Sequence, residues 1–446
     1  MTMFQLIDTR NGLLSDLLTR VTDIGRSLDS VIKQQEKPLL EQCEGLLDKD
    51  GEATGLAQAQ QVLRRYAELD DNEKSAFFLQ ILTNFGTDNA VLDAAITSWK
   101  NDKSEANARS LHFASEPRSQ NLLRRINQAP NGTLALVKMR ADLLTFTRAH
   151  PELKDLDQDF SHLFASWFNR GFLKLQTMDW GTPANILEKV IAYEAVHEIS
   201  SWSDLRQRVA DPDRRLYSFF HPALGIEPLI FVEVALTDHV PGAIAPILEK
   251  KREPLDPEKA TTAVFYSISN CQTGLKGISF GNFLIKQVVE NLREEFPKLE
   301  TFITLSPVPG LRRWALQQLE KPDAVTSVEQ IELIRDLERA QLDGTLDSLI
   351  TNNKAFKNLV ATYLVSARSP RGGAADPVSR FHLGNGARLE DIHLQADASE
   401  NGLNNAWGCM VNYQYQIKHI ERNNEAYFNN DEIITSSKVM GFLKSR

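Results

Sequence analysis

Two short stretches, far apart in the chain, hold the residue types best suited to chemistry. Ser306 follows the run Thr301-Phe302-Ile303-Thr304-Leu305 and opens Ser306-Pro307-Val308-Pro309-Gly310. The run is β-branched and aromatic and reads as a strand, which the Pro-x-Pro-Gly segment cannot continue. Ends of strands in open sheets are where ligands commonly sit. His382 lies in Phe381-His382-Leu383-Gly384-Asn385-Gly386, read as a glycine-rich turn leading into extended chain. A hydroxyl and an imidazole brought together could relay a proton, or act as nucleophile and base. Spacing alone does not pair them, because the chain has nine histidines and many serines.

A third stretch frames Ser306. Ala263 to Ser269 is a buried-strand pattern, and Gly274, Gly277 and Gly281 follow it closely. Leu284, Val288 and Leu292 then share one helical face with Ile285, Val289 and Phe296 beside them, until Phe296-Pro297 ends the helix. This is a strand–turn–helix–strand unit. A turn poor in Cβ atoms lets backbone N–H groups approach a ligand, and the helix N-terminus behind it favours negative charge. Gln272, Gly274, Lys276, Gly277, Ser279 and Gly281 are therefore the candidate binding residues. The turn has neither the Gly-Lys-Ser/Thr of a P-loop nor the spacing of a dinucleotide fingerprint.

Lys276-Gly277-Ile278-Ser279-Phe280-Gly281 resembles the Gln/Arg-x-x-Gly-x-Gly loop with which acetyltransferase-like (GNAT) folds hold the pyrophosphate of coenzyme A, with Ser279 replacing the middle glycine. The wider segment resembles the malonyl-CoA decarboxylase family. The resemblance takes in WGTPANILEKVIAYEAVHEI (180–199), FFHPALGIEPLIFVEVALT (219–237), FHLGNGARLEDIHLQAD (381–397) and GCMVNYQY (408–415), in order. It covers roughly residues 155 to 420; the N-terminal part matches only in being helical. Ser306 matches the serine of the family's Ser-Pro-x-Pro-Gly motif, His382 the histidine of its Phe-His-Leu-x-Asn-Gly motif, and Tyr415 a tyrosine placed at the same site. Family members often carry an acidic residue where this chain has Ser279, so the loop departs from the family there.

The resemblance implies conversion of malonyl-CoA to acetyl-CoA and CO2. Loss of CO2 leaves an enolate whose charge moves onto the thioester oxygen, so the substrate is its own electron sink and neither a metal nor an organic cofactor is expected. The protein must orient the carboxylate, stabilise the oxyanion and protonate C2. A histidine titrating near neutrality and a hydroxyl suit the last task. A covalent malonyl-serine with His382 as base ranks second, because the thioester is already activated. A CoA-dependent acyltransferase and a non-catalytic acyl-CoA sensor are the alternatives; acetyl transfer needs neither the serine nor the histidine motif.

With 446 residues, two domains are expected. The formal net charge of −9 argues against wholesale nucleic-acid binding. Cys43, Cys271 and Cys409 form no CxxC pair and no metal spacing, which fits a reducing compartment. The N-terminus has no long apolar core, no window matches a membrane span, and the C-terminus is not Ser-Lys-Leu. A cytoplasmic protein is expected, although some family members are organellar.

The elements that must position these residues follow from periodicity. Residues 1–150 read as an all-α bundle without a ligand constellation, hence a scaffold or subunit interface, and a homo-oligomer (dimer or tetramer) is expected. Within it Asp70-Asp71-Asn72-Glu73 is an N-cap and acidic first turn, followed by an apolar stripe of Phe77, Phe78, Ile81, Leu82 and Phe85. The boundary is placed at His150 to Asp155, and residues 151–446 form a GNAT-like mixed α/β catalytic domain. The fold class is thus α+β. Thr182-Pro183 reads as a threonine cap with proline at the first helical position. His197 is assigned a structural role. Leu229 to Leu236 is a strand buried on both faces, in which Glu233 requires a partner. Arg368 to Pro377 reads as a mobile loop, Phe381 to Gln395 as extended chain, and residues past about 420 as peripheral.

Overall fold

The computed structural model describes residues 37–47, 52–278, 284–370 and 372–444; Ser279 and Gly281 lie outside these. The chain divides into two compact units. One comprises Met1–Lys174, Phe220–Leu229 and Gln272–Phe280, the other Leu175–Phe219, Ile230–Cys271 and Gly281–Arg446. None of the described helices is long and apolar enough to cross a membrane.

The first unit is helical, with eight described helices from Leu39–Leu47 to Leu153–Trp167. Local chemistry sets their ends. Asp70 caps Asp71–Asn84 by accepting the Glu73 N–H at 2.9 Å, and the Glu73 carboxylate returns to the Asp70 N–H at 3.0 Å. Phe77, Phe78, Ile81 and Phe85 on that helix are buried, and Tyr66 packs against Phe77 and Phe78 with ring centres 5.7 and 5.8 Å away. The Tyr66 hydroxyl donates to Asp142 at 2.8 Å, which joins two helices through one polar contact inside an apolar cluster.

Eight strands form one mixed sheet: β1 Lys174–Met178, β2 Arg214–Phe220, β3 Pro228–Thr237, β4 Thr262–Asn270, β5 Thr301–Thr304, β6 Ser306–Pro307, β7 Arg388–His393 and β8 Met410–Gln414. The order is β1-β2-β3-β4-β5-β8-β6, with β7 also on β8. β4 and β5 are parallel because the helix Leu284–Glu295 carries the chain back to the start of the sheet. That helix buries Leu284, Ile285, Val288, Val289 and Leu292, the face expected from its period. β8 runs antiparallel to β5, β6 and β7 and so lies beside Ser306, the first residue of β6. A helical N-terminal region followed by a mixed sheet is the α+β class expected from the sequence.

Four readings are corrected. His382 sits in the last turn of the helix Pro377–Gly384, and extended chain starts only at Arg388. Periodicity missed this helix because it is eight residues long, but Asp376 and Pro377 supply its cap and first position. Residues past 420 are not peripheral: Asn424 and Asn423 on Ile420–Asn430 donate to the carbonyls of Gly384 and Gly386, at 2.6 and 3.2 Å. The Arg368–Pro377 loop is tied down, since the Ala374 N–H donates to Tyr427 at 3.0 Å and Ala374 is buried. Thr182 is also not the cap of Ala184–Tyr193; its hydroxyl accepts the Asp179 N–H at 3.0 Å instead.

Glu233 has its partner. Its fully buried carboxylate meets the Arg208 guanidinium at 2.8 Å, and Arg208 also donates to the Glu198 carbonyl at 3.1 Å. Burial pushes the Glu233 carboxyl up, opposed by the Arg208 charge. Arg208→Met should destabilise the fold by about 3–5 kcal/mol, because it strands the carboxylate. Arg208→Met with Glu233→Leu should recover much of that loss. Urea unfolding of both variants checks this, and a double variant no better than the single would refute it.

Candidate active site

Strand β5 places Thr304 and, after one residue, β6 places Ser306 on the same side of the sheet, the period-2 consequence of extended chain. The Ser306 hydroxyl donates to Thr304 Oγ1 at 2.8 Å, and that oxygen also accepts the Tyr413 N–H at 3.0 Å. Ser306 Oγ lies 3.1 Å from His382 Nε2, although the two are 76 positions apart. His382 Nδ1 lies 2.8 Å from the Tyr415 hydroxyl. The structure therefore brings together Ser306, His382 and Tyr415, the three residues assigned to chemistry. All three are buried, His382 being 3% exposed.

One tautomer fits the geometry of the first bond. With Ser306 donating to Thr304, its oxygen is the acceptor toward His382, and the ring hydrogen is assigned to Nε2. Nδ1 is then the acceptor, and it takes the Tyr415 O–H. Burial raises the Tyr415 hydroxyl well above its ordinary value, which keeps it protonated for that bond. Burial also pushes the His382 imidazole down, to about 3. The histidine is thus neutral across the physiological range, not titrating near neutrality as its type alone suggests. The cause is desolvation: no charged side chain is among its hydrogen-bonding or stacking partners.

The ring is also held by packing. Tyr413 stacks on His382 with centres 4.6 Å apart and planes 22° from parallel, and Tyr415 meets it edge-on at 6.1 Å. Tyr415 in turn meets Phe265 of β4 edge-on at 5.9 Å. Ser379, one turn before His382, bonds the Tyr413 hydroxyl at 2.5 Å. Residues at i and i+3 on a helix thus match residues at i and i+2 next to and on β8. Thr304, Tyr413 and Ser379 escaped the sequence reading. Period 2 from Ser306 and from Tyr415 pointed to the first two; Ser379 required knowing that His382 is helical.

The glycine-rich turn belongs to the helical unit. Arg140, on the helix Gly132–Phe146 and 3% exposed, donates to the carbonyls of Gly274 and Lys276 at 2.8 and 3.0 Å. Its other nitrogens hold Asp157 at 2.7 Å and Ser161 at 2.9 Å. Gln272 donates to the Pro228 carbonyl at 3.0 Å. A Cβ on Gly274 would lie 1.8 Å from the Val137 carbonyl oxygen, so packing against that helix accounts for this glycine. Gly277 has φ +82°, which a β-branched residue would strain, and Lys276 beside it is exposed.

Residues 171–446 match the model of the malonyl-CoA decarboxylase C-terminal domain, and residues 85–168 that of the malonyl-CoA decarboxylase N-terminal domain. The chain belongs to the malonyl-CoA decarboxylase family. Membership thus extends into the helical region, beyond the motifs recognised in the sequence. Mitochondrial malonyl-CoA decarboxylase from Anser anser anser is 33% identical over 416 residues, covering 85% of this chain and 82% of that protein. The Rattus norvegicus protein of the same name is 33% identical over 359 residues, covering 75% of this chain and 72% of its own. The crystal structure of malonyl-CoA decarboxylase from Rhodopseudomonas palustris superposes with a TM-score of 0.85 at 49% identity, covering 90% of this chain and 98% of that one. The Agrobacterium vitis structure gives 0.83 at 47% identity, with 91% and 100% covered.

The depressed imidazole predicts a pH effect on this family member. Below an ordinary histidine pKa of about 6.5 the unfolded chain takes up a proton that His382 refuses until about pH 3. Stability should therefore be fully present above that range and fall as pH drops through it, by about 2 kcal/mol between pH 7 and 5 from this residue. His382→Gln should show a shallower acid loss in urea titrations; an unchanged slope would mean the histidine is already charged in the fold.

Proposed function

We propose that the protein is a malonyl-CoA decarboxylase in which Ser306 and His382 bind the malonyl carboxylate and relay the proton to C2, with Tyr415 completing the relay. The observation that carries this reading is the buried, uncharged chain Thr304–Ser306–His382–Tyr415. The carboxylate must leave as neutral CO2, so a cation beside it would stabilise the ground state more than the transition state. Neutral donors orient it without that penalty.

In the reaction the C–C bond breaks and its electron pair forms the enolate, with charge on the thioester oxygen. Ser306 turns its O–H from Thr304 to the substrate and delivers the proton to C2. The Nε2 proton of His382 replaces it, while Nδ1 takes the Tyr415 proton in concert with delivery of a solvent proton to the tyrosine oxygen, so that neither ring is left charged. Solvent restores the single proton that each turnover consumes. Ser306 is not poised as a nucleophile in this arrangement, because Nε2 carries a proton and cannot accept the serine's. That disfavours the covalent malonyl-serine.

The turn Gln272 to Gly281, with Lys276 exposed on it, is assigned to the phosphates of coenzyme A. Arg140 then gives the helical region a part in substrate binding, beyond scaffolding. The three cysteines are buried and in no disulfide, as a reducing location would require.

Incubation with malonyl-CoA alone should release CO2, which neither an acyltransferase lacking an acceptor nor a sensor would do. Ser306→Ala and His382→Asn should each lower kcat by about 10²–10⁴-fold. Arg140→Lys, which cannot hold two carbonyls, a carboxylate and a hydroxyl together, should raise KM by about tenfold with kcat little changed. Near-normal turnover of the first two variants removes the dyad; an unchanged KM in the third removes the turn. Rapid quench with labelled malonyl-CoA that traps an acyl group on Ser306 would restore the covalent route.

Self-association, expected from the family, is assigned to the helical region. Light scattering at micromolar concentration should give a dimer or larger, and a monomer would overturn it.

A further inference from the structure

We infer that Asp376 is a positioning residue for the decarboxylation: its one carboxylate fixes the turn after Ser306 to the helix that carries His382. The inference rests on the reading of Ser306 and His382 as the reacting pair. Asp376 is 1% exposed, and both its oxygens are in use. Oδ1 accepts the N–H groups of Val378 and Ser379 at 2.9 and 3.1 Å, which caps Pro377–Gly384 six residues before His382. Oδ2 accepts the Gly310 N–H at 3.1 Å and the Tyr363 O–H at 3.2 Å. Gly310 lies four residues after Ser306.

Capping alone does not account for a buried carboxylate. Elsewhere in this chain Ser201, Asn353 and Ser399 cap helices with neutral side chains. Burying an ionised group is far costlier than burying a hydroxyl or amide, so the second oxygen must serve a purpose. Pro307 and Pro309 have no amide hydrogen, which leaves few donors to anchor the turn. The Gly310 amide is one of them, and it is given to Asp376. Gly310 is also where a side chain cannot be accommodated: its Cβ would lie 2.1 Å from the Tyr363 hydroxyl and 3.1 Å from Asp376 Oδ2. Tyr363 packs against Trp314, with ring centres 4.9 Å apart and planes tilted by 33°. The two segments that carry the 3.1 Å Ser306–His382 contact thus share one rigid acceptor. Proton relays demand such support, because misplacement of about 0.5 Å already degrades a catalytic geometry.

Asp376→Asn tests this. The amide keeps one oxygen for one pair of donors and turns an NH2 toward the other, so cap and turn can no longer both be satisfied. The kcat should fall by about 10–100-fold, with KM for malonyl-CoA within about threefold, since binding of the CoA portion is untouched. In a Ser306→Ala background the same substitution should cost less than about threefold, because no aligned hydroxyl remains to lose. An Asp376→Asn enzyme with full kcat overturns the inference, and so does an equal fractional loss in both backgrounds, which is the signature of a purely structural role. A near-normal Ser306→Ala enzyme instead removes the dyad itself, so the two failures are distinguishable. If Asp376→Asn does not fold, Tyr363→Phe, which deletes one of the four donors, carries the same cycle with an expected loss of about three- to tenfold in kcat.

Discussion

The structure depends on enclosing a run of polar side chains in an apolar interior without leaving a charge there. Thr304, Ser306, His382 and Tyr415 are buried between strands β5, β6 and β8 and the helix Pro377–Gly384. A buried donor or acceptor left unpaired costs as much as a lost hydrogen bond, so these groups must pair with one another. Once they do, the protonation pattern follows. The imidazole stays neutral because its surroundings cannot solvate a cation, and its two nitrogens take opposite roles because its neighbours differ.

Elsewhere in the protein the cost of burying charge is met differently. Glu233 and Arg208 form a close ion pair inside the sheet unit, and Arg140 is spread over Asp157, Ser161 and two carbonyls in the helical unit. Each uses the planar guanidinium fork to satisfy several acceptors at once, which an ammonium group cannot do with the same geometry. The Thr304–Ser306–His382–Tyr415 cluster is held together without any such charge.

The helical region has more to do than its sequence suggests. It contains no constellation of reactive residues, and its amphipathic helices read as scaffold. Yet Arg140 and the Val137 carbonyl shape the turn at Gly274, a segment 134 residues further along the chain. A glycine read as leaving room for a ligand is explained by the close approach of a helix. What packing does not explain in the turn is the exposure of Lys276 and the positive φ of Gly277.

Much of the architecture is legible locally. The strands at 262–270 and 301–304, the helix at 284–295 and the capping box at Asp70 are set by periodicity and by residues within a few positions of one another. So was the need of Glu233 for a partner, which follows from one charge in an apolar run. The motifs around Ser306 and His382 marked both residues. What the sequence could not decide is everything that requires two distant segments to meet. Arg208 as the partner of Glu233, Asp376 as the common acceptor and Thr304 as the serine's acceptor are facts of tertiary packing. The helical setting of His382 was missed because one short turn of helix carries too little periodicity to outweigh its glycines. Its protonation state was missed for a deeper reason. Residue type sets an intrinsic proton affinity in water, but the free energy of removing that water is set by segments that only folding brings around the ring.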